Sequence, residues 1–288
     1  MVYRGRFAPS PTGPLHFGSL VAAVGSWARA RSHGGTWVVR MEDIDPPREV
    51  PGAAADILAT LAAFGLESDE PVLCQSRREA AYRSAFERLR ADVFRCRCSR
   101  GDLEPLGGLH RGACVATDSA RQPAWRLRAP DITIAFDDAA LGRQQQNLRD
   151  EVGDFVILRA DGWFAYQLAV VVDDAHQGIT EVVRGADLLE STPRQIHLQH
   201  LLGLPTPTYL HLPLALDADG RKLSKQDRAR PVDRDDPVPA LRAALTFLAC
   251  DTAGVGARVD RLLAAAARQF DPRRLDFGPR AAPQRGSR

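Results

Sequence analysis

Two segments of this chain carry residues that could bind and stabilise phosphate groups. Residues 11–19 read Pro-Thr-Gly-Pro-Leu-His-Phe-Gly-Ser, at the point where a short strand pattern gives way to a helix pattern. The free N–H groups of a helix N-terminus suit phosphate, and Gly18 would let a ligand approach the backbone closely. His16 could donate a hydrogen bond to a phosphate oxygen. A turn of this kind is also typical of a helix-capping histidine.

The second segment holds the only two lysines among 38 basic residues, Lys222 and Lys225. Residues 220–226 read Gly-Arg-Lys-Leu-Ser-Lys-Gln, and arginine supplies the positive charge everywhere else. A lysine ammonium is a compact charge on a flexible stem, so this loop could follow a phosphate through a reaction. The alternative is that the two lysines are a chance pair on a solvated loop.

A third group of residues could hold a metal ion. Cys96 and Cys98 are followed by His110 and Cys114, which together supply three thiolates and one imidazole. This set suits tetrahedral zinc with no open position, which is typical of a structural site. The spacing is only moderately specific, so an accidental cluster is the alternative.

The elements that must position these residues alternate between strands and helices. A buried-strand pattern at residues 36–41 lies between helix patterns, and this order implies a parallel α/β unit. Residues 94–150 break the pattern with short polar strands, so we interpret them as an insertion. The α/β pattern resumes at Trp163. Helices are predicted at 15–31, 52–64, 240–250 and 256–270.

Two further helices are predicted from their N-terminal residues. Ser76-Arg77-Arg78-Glu79 matches a capping box, which predicts a helix that runs to about residue 93. Thr192 followed by Pro193 predicts a helix with the threonine as N-cap and the proline at the first helical position.

Composition excludes several classes of protein. A hydrophobic fraction of 44% and a charged fraction of 26% are ordinary for a folded globular chain. A net charge of +2 excludes a strongly cationic nucleic-acid coat, but not a local basic face. No apolar run approaches a membrane span, and no signal-peptide core is present. The five cysteines do not form a secreted disulfide pattern. We therefore expect a cytoplasmic protein, monomeric and without a membrane partner.

The two phosphate-binding segments together resemble the signatures of class I aminoacyl-tRNA synthetases. In that family the signatures flank ATP and stabilise the phosphate as a carboxylate attacks it and pyrophosphate leaves. The resemblance implies that His16, Lys222 and Lys225 are catalytic, and that His16, Gly18 and Lys225 bind the nucleotide. It also implies ATP with Mg²⁺ as a substrate. Such chemistry needs positioning and charge stabilisation rather than a nucleophilic side chain.

Further segments are similar to the glutamyl members of that family. They are residues 6–13 (Arg-Phe-Ala-Pro-Ser-Pro-Thr-Gly), 40–45 (Arg-Met-Glu-Asp-Ile-Asp), 166–174 and 183–189. Arginine can bind a carboxylate with two hydrogen bonds, and a glutamate can accept from an ammonium group. The glutamate-binding residues implied by the resemblance are Arg6, Phe7, Ala8, Pro9, Ser10, Glu42, Tyr166 and Arg184.

The resemblance also implies the domain organisation. A Rossmann-like parallel-sheet catalytic domain, of class α/β, would comprise residues 1–93 and 161–230. An inserted α+β subdomain at 94–160 would carry zinc, as in short glutamyl-type relatives. Residues 231–288 would form a short helical region with a flexible tail.

Only 62 residues follow Gln226, which is too few for the anticodon-binding region of a full glutamyl-tRNA synthetase. The chain therefore resembles truncated paralogues of that enzyme. The resemblance implies that L-glutamate is activated without tRNA. The glutamate would then pass to queuosine in the anticodon stem-loop of tRNA(Asp).

Three alternatives to this function stay open. The first is a truncated enzyme that charges a tRNA 3′ end. The second is a nucleotidyltransferase that activates a small carboxylic acid and uses no RNA. The third is a non-catalytic RNA-binding relative, which would need damaged substrate residues.

Overall fold

The structure is a computed structural model that describes residues 2–215 and 230–278. Lys222 and Lys225 lie outside the described residues, and so does most of the predicted tail. Within the described ranges, no helix is both long enough and apolar enough to span a bilayer.

Parallel strands form the centre of the fold. Strands β1 (Arg4–Phe7), β2 (Thr36–Met41) and β3 (Leu73–Cys74) pair in that order. Strand β9 (Glu181–Gly185) pairs in parallel with β10 (Thr208–Leu212). The β9 end of this pair lies beside β1, because the Thr180 N–H donates to the Arg4 carbonyl at 2.9 Å. The carboxyl ends of these strands therefore meet at one edge of the fold, where α/β proteins bind ligands.

Strand β2 is buried on both faces, as the apolar run predicted. Trp37, Val39 and Met41 belong to one hydrophobic cluster, whereas Val38 belongs to another. This alternation follows from the two-residue period of a strand, and burial on both faces is typical of a parallel sheet covered by helices. Arg40 is the exception, a fully buried cation within the strand.

Helices cover the sheet, and the predicted helix patterns are confirmed with small shifts at their ends. Helix α1 packs directly on β10, since a Cβ on Gly25 would come within 2.7 Å of Leu212 Cδ1. The helices are α1 (Phe17–Ser32), α2 (Ala53–Ala63), α3 (Glu79–Arg88), α4 (Arg100–Leu103), α5 (Tyr166–His176), α6 (Thr192–Leu201), α7 (Pro237–Phe247) and α8 (Val259–Gln269).

The segment interpreted as an insertion contains two antiparallel arrangements. Strands β4 (Val93–Cys96), β5 (Ala124–Leu127) and β8 (Phe155–Leu158) form an antiparallel sheet. Strands β6 (Thr133–Asp138) and β7 (Gly142–Asn147) form a hairpin. The hairpin joins the parallel strands where Asp138 pairs with Tyr209 of β10. The domain boundaries given above stay predictions.

Both predicted helix caps are wrong. The Ser76 hydroxyl donates to Asp43 Oδ2 at 2.6 Å instead of capping a helix, and α3 begins only at Glu79. Ser191, not Thr192, is the N-cap of α6. In each case a charged group outside the predicted helix uses the hydroxyl, because Ser76 donates to Asp43 and Thr192 accepts from Arg184, and the capping pattern does not reveal such a partner.

We expect Gly35→Ala to destabilise the docking of β1. Its Cβ would lie 2.5 Å from the backbone oxygen of Tyr3, which accepts from Thr36 N at 3.0 Å. Because the two backbone segments must move apart, the free energy of unfolding, measured with urea, should fall by about 1–3 kcal/mol. Gly256→Ala is the control, because its Cβ would meet nothing within 4 Å. Equal stability of the two variants would contradict the prediction.

Candidate active site

Two adjoining cavities open where the parallel strands end. The larger, about 500 Å³, is lined by Arg6, Glu42, Tyr166 and Arg184 among others, and we call it the arginine cavity. The smaller, about 340 Å³, is lined by His16, Gly18 and Ser19 among others, and we call it the histidine cavity. Residues that line both are Phe7, Ala8, Ser10, Thr12, Ala22 and Gly185.

The residues predicted to bind glutamate and the nucleotide, where the structure describes them, all line one or both of these cavities. Only Pro9 lies in a different cavity from the one expected. Pro9 lines the histidine cavity and not the arginine cavity. Its carbonyl accepts from the Glu42 N–H at 2.9 Å, which ties the turn after β1 to the end of β2. Pro9 therefore positions the shared wall of the two cavities.

Arg184 is buried among neutral hydrogen-bond acceptors. Its Nη1 donates to Gln195 Oε1 at 2.8 Å, and its Nη2 donates to Thr192 Oγ1 at 2.7 Å and the Leu188 carbonyl at 3.2 Å. Its Nε donates to His211 Nε2 at 3.1 Å. No carboxylate within the described ranges forms an ion pair with it. A buried cation without a counter-charge is costly, so this site favours an anionic ligand.

Tyr166 stands beside Arg184 at the first position of α5. Its hydroxyl lies 3.5 Å from Arg184 Nη1, and both residues line the arginine cavity. Burial is the main cause that raises the pKa of Tyr166 above its ordinary value, so the phenol stays neutral. It can therefore both donate to and accept from a ligand.

Ion pairs join four buried side chains of alternating charge, and two of them, Arg6 and Glu42, line the arginine cavity. Asp174 accepts from Arg6 Nε at 3.1 Å and from Arg40 Nη1 at 2.7 Å. Arg40 Nη2 in turn donates to Glu42 Oε1 at 3.1 Å. The resemblance assigned Arg6 and Glu42 to the ligand. The structure shows that each already has a charged partner within the protein while it lines the cavity.

The two carboxyl groups in these ion pairs, those of Asp174 and Glu42, have pKa values shifted in opposite directions. Burial would raise the pKa of Asp174, but Arg6 and Arg40 outweigh it and hold that pKa below the ordinary value. Burial dominates at Glu42 and raises its pKa, although Arg40 and Arg6 oppose the change. A ligand ammonium beside Glu42 would favour its ionised form.

His16 caps the helix that borders the histidine cavity. It is the N-cap of α1, and its Nδ1 accepts from the Ser19 N–H at 3.3 Å. The capping alternative is therefore what the structure shows. Because Nδ1 accepts, Nε2 can carry the proton, and capping is compatible with a role toward phosphate.

The described residues before the lysine segment line the histidine cavity, and those after it pair with the turn that holds His16. Pro213, Leu214 and Ala215 line it before the segment begins. After the segment, the Val232 N–H donates to the Leu15 carbonyl at 2.9 Å, next to His16.

The predicted metal ligands lie together in the insertion. The sulfur atoms of Cys96, Cys98 and Cys114 all lie within 4.8 Å of one another, and those of Cys98 and Cys114 are 3.7 Å apart. His110 Nε2 is 3.2 Å from Cys96 Sγ. Tetrahedral zinc with thiolate ligands needs sulfur separations of about 3.8 Å. The cluster is compatible with a zinc site.

Asp154 supports this cluster, and the sequence interpretation did not include it. Its Oδ2 accepts from His110 Nδ1 and from the Gly112 N–H, each at 2.8 Å. Its Oδ1 accepts from the Ala129 N–H at 2.8 Å. A carboxylate on the far nitrogen of a metal-binding histidine orients the ring and selects its tautomer. The neighbouring sequence carries no signal for this contact.

Comparison with known proteins identifies the family. The family described as tRNA synthetases class I (E and Q), catalytic domain, matches in two overlapping stretches, residues 2–123 and 114–248. The chain is 60% identical over 285 residues to the glutamyl-Q tRNA(Asp) synthetase of Xanthomonas campestris pv. campestris, over 97% of this chain and 94% of that protein. The chain belongs to the glutamyl-Q tRNA(Asp) synthetase family.

Other comparisons agree with this assignment. The glutamyl-Q tRNA(Asp) synthetase of Burkholderia cenocepacia is 57% identical over 296 residues, which cover 97% of this chain and 98% of that protein. A solved structure of a glutamate tRNA ligase from Elizabethkingia meningosepticum, in complex with its amino acid, matches with a TM-score of 0.81 at 23% identity. That match covers 98% of this chain and 67% of the other, and it confirms the predicted class I fold.

Arg40 and Asp174 form ion pairs with Arg6 and Glu42 of the cavity, and the sequence interpretation gave neither of them a role. Arg40 carried a usable signal, because a charged residue inside the apolar run of residues 37–41 needs a buried partner. Asp174 carried none, since its partners lie on β1 and β2, far away in the chain.

We expect Asp174→Ala to destabilise the protein by about 3–5 kcal/mol, because it leaves two buried guanidinium groups without their shared carboxylate. Glu70→Ala is the matched control. Glu70 also accepts two hydrogen bonds from one arginine, Arg4, but on the surface, where such pairs contribute about 0–1 kcal/mol. Chemical unfolding monitored by circular dichroism measures both. A loss for Asp174→Ala no larger than the control would contradict the prediction.

Proposed function

We propose that this chain uses ATP to convert L-glutamate to glutamyl-adenylate without tRNA. It then transfers the glutamyl group to queuosine in the anticodon loop of tRNA(Asp). The observation that carries the proposal is Arg184, a buried cation with no described carboxylate partner, in a cavity that adjoins the His16 turn. The name of the relatives, glutamyl-Q tRNA(Asp) synthetase, supports queuosine of tRNA(Asp) as the acceptor of the glutamyl group.

The arginine cavity suits glutamate in one orientation. The reacting α-carboxylate has to reach the nucleotide, so it lies at the wall that Ala8 and Ser10 share with the histidine cavity. Arg184 lines only the arginine cavity, and it therefore holds the side-chain carboxylate, with Tyr166 beside it. Glu42 accepts from the ammonium group.

The histidine cavity suits ATP, bound with Mg²⁺. The N-terminus of α1, a helix of 16 residues, presents its N–H groups and positive dipole end beside Gly18. An oxygen of the glutamate α-carboxylate attacks the α-phosphorus, and the bond to the bridging oxygen of pyrophosphate breaks. His16 stabilises the charge on the phosphate.

Lys222 and Lys225 are proposed to act on the same phosphates. Support comes from the described residues around them, because Pro213, Leu214 and Ala215 line the histidine cavity and Val232 is hydrogen-bonded to Leu15, next to His16. An ammonium group adds charge stabilisation as pyrophosphate leaves.

The second step uses the mixed anhydride as an acyl donor. A hydroxyl of the queuosine cyclopentenediol attacks the glutamyl carbonyl carbon, and AMP leaves. The monomeric state and the cytoplasmic location stay predictions.

Zinc is proposed to be held by Cys96, Cys98, His110 and Cys114. When bound, it cross-links the turns of the insertion and takes no part in the reaction. The Val115 N–H donates to Cys98 Sγ at 3.1 Å, as backbone amides often do to metal-bound sulfur.

Exchange of labelled pyrophosphate into ATP tests the first step. We expect exchange with glutamate alone among the amino acids, in the absence of tRNA. Transfer of labelled glutamate to tRNA(Asp) with and without queuosine tests the second step, with tRNA(Glu) as the control. Labelling that ignores queuosine would favour the enzyme that charges a 3′ end. Exchange without any transfer to RNA would favour the nucleotidyltransferase.

We expect Cys98→Ser to lose zinc, because a hydroxyl replaces one of three thiolate ligands. Elemental analysis of the purified protein measures the stoichiometry. Cys250→Ser is the matched control, since Cys250 is buried, its thiol donates to the Leu248 carbonyl, and it lies far from the cluster in the chain. His110→Ala should lower zinc affinity in a chelator competition. Full zinc retention in Cys98→Ser would show that the ligand set is wrong.

A further inference from the structure

Behind Arg184 lies a buried pair of titratable groups that lines neither cavity. His211 on β10 is fully buried, and Asp138 at the end of β6 is 4% exposed. We propose that Asp138 and His211 are positioning residues, which orient the Arg184 guanidinium and so set the preference for glutamate over glutamine. The inference deepens the proposed function and rests on it.

The contacts permit a single tautomer of His211. Its Nδ1 is 2.7 Å from Asp138 Oδ2, and an ionised carboxylate can only accept, so Nδ1 carries the proton. Nε2 then has a lone pair, which accepts from Arg184 Nε at 3.1 Å, and the Thr192 hydroxyl lies 3.4 Å from the same nitrogen. Burial is the main cause that lowers the pKa of His211, although Asp138 opposes it, and this keeps the imidazole neutral.

Asp138 is itself held rigidly. Its Oδ1 accepts from the N–H groups of Ala140 and Leu141, at 3.0 and 2.9 Å. Its Oδ2 also accepts from the backbone N–H of His211 at 3.0 Å. The aspartate therefore fixes both the backbone and the ring of His211. This support comes from the hairpin of the insertion, which makes the insertion part of the amino acid site.

The consequence for Arg184 follows from counting its N–H groups. A guanidinium has five, and strong contacts use one on Nε, two on Nη2 and one on Nη1. The remaining Nη1 donor has only the 3.5 Å contact to the Tyr166 hydroxyl. Since Tyr166 lines the arginine cavity, this is the donor that a ligand can take over.

Holding Nε favours glutamate because it keeps a cation at one place. A glutamate carboxylate supplies both an acceptor and the missing negative charge, whereas a glutamine amide supplies only an acceptor. If His211 could not accept from Nε, the guanidinium plane could rotate toward other neutral partners. Glutamate would then lose its oriented counter-charge, and the two amino acids would bind more alike.

The test is pyrophosphate exchange with His211→Leu, which removes the acceptor. We expect the KM for glutamate to rise about tenfold or more, which is the loss of one hydrogen bond from a charged donor. The kcat and the KM for ATP should stay within about threefold, and the ratio of kcat/KM for glutamate over glutamine should fall. His211→Gln should restore most of the ratio, since its Oε1 can replace Nε2 as the acceptor.

Controls separate this role from a general effect on the fold. His197→Leu removes another buried histidine, on α6, and should leave the ratio unchanged. If His211→Leu does not fold, the kcat/KM ratio is compared between His211→Asn and His211→Gln instead. The asparagine is too short to reach Arg184, whereas the glutamine is not. An unchanged ratio in His211→Leu or His211→Asn would overturn the proposal. So would an equal loss in His211→Gln. Absence of exchange in the wild-type chain would instead count against the proposed function.

Discussion

The burial of positive charge is the constraint on which the site depends. Arg6, Arg40 and Arg184 are all nearly inaccessible to water at the carboxyl ends of adjacent parallel strands. A buried guanidinium must find acceptors for its hydrogen bonds and a counter-charge. Asp174 supplies the counter-charge for Arg6 and Arg40. Arg184 has only neutral direct partners, so the carboxylate of the proposed substrate would supply its counter-charge.

The order of the strands brings the partners of this charge network together. Arg6 lies on β1 and Arg40 lies on the neighbouring strand β2, so the carboxylate of Asp174 on α5 contacts both. Tyr166 begins the same helix, and its position beside Arg184 is therefore coupled to the ion pairs at Asp174. The ammonium-binding candidate Glu42 is joined to the same network through Arg40. A substrate in the arginine cavity would thus meet one connected set of charges.

The insertion contains the aspartates of two buried histidine–aspartate pairs that are built in the same way. Asp154 accepts from the far nitrogen of His110, and Asp138 accepts from the far nitrogen of His211. In each pair the carboxylate selects the tautomer, which leaves Nε2 with a lone pair aimed at its partner. The lone pair of His110 lies beside the cysteine cluster, and that of His211 accepts from Arg184, which lines the arginine cavity. The insertion is therefore both a candidate metal site and a support for substrate recognition.

The sequence by itself determined the elements and most of the candidate residues. The strand at 36–41 followed from an apolar run, and the helices followed from helix patterns and, for two of them, from residues at the N-terminus, because these patterns record local geometry. The ordered segments around His16, Glu42, Tyr166 and Arg184 indicated the family. The cysteine spacing indicated the metal cluster.

Only the tertiary structure decided the partners of these groups. Arg6 meets Asp174 across 168 positions of sequence, and His211 meets Asp138 across 73. Ser76 and Thr192 look like helix caps locally, but the Ser76 hydroxyl donates to Asp43 and the Thr192 hydroxyl accepts from Arg184, both outside the predicted helices. Hydrogen bonding and ion pairing depend on distance in space, which is set by strand order and helix packing. A local pattern records neither, so the charge partners of the site became visible only in the fold.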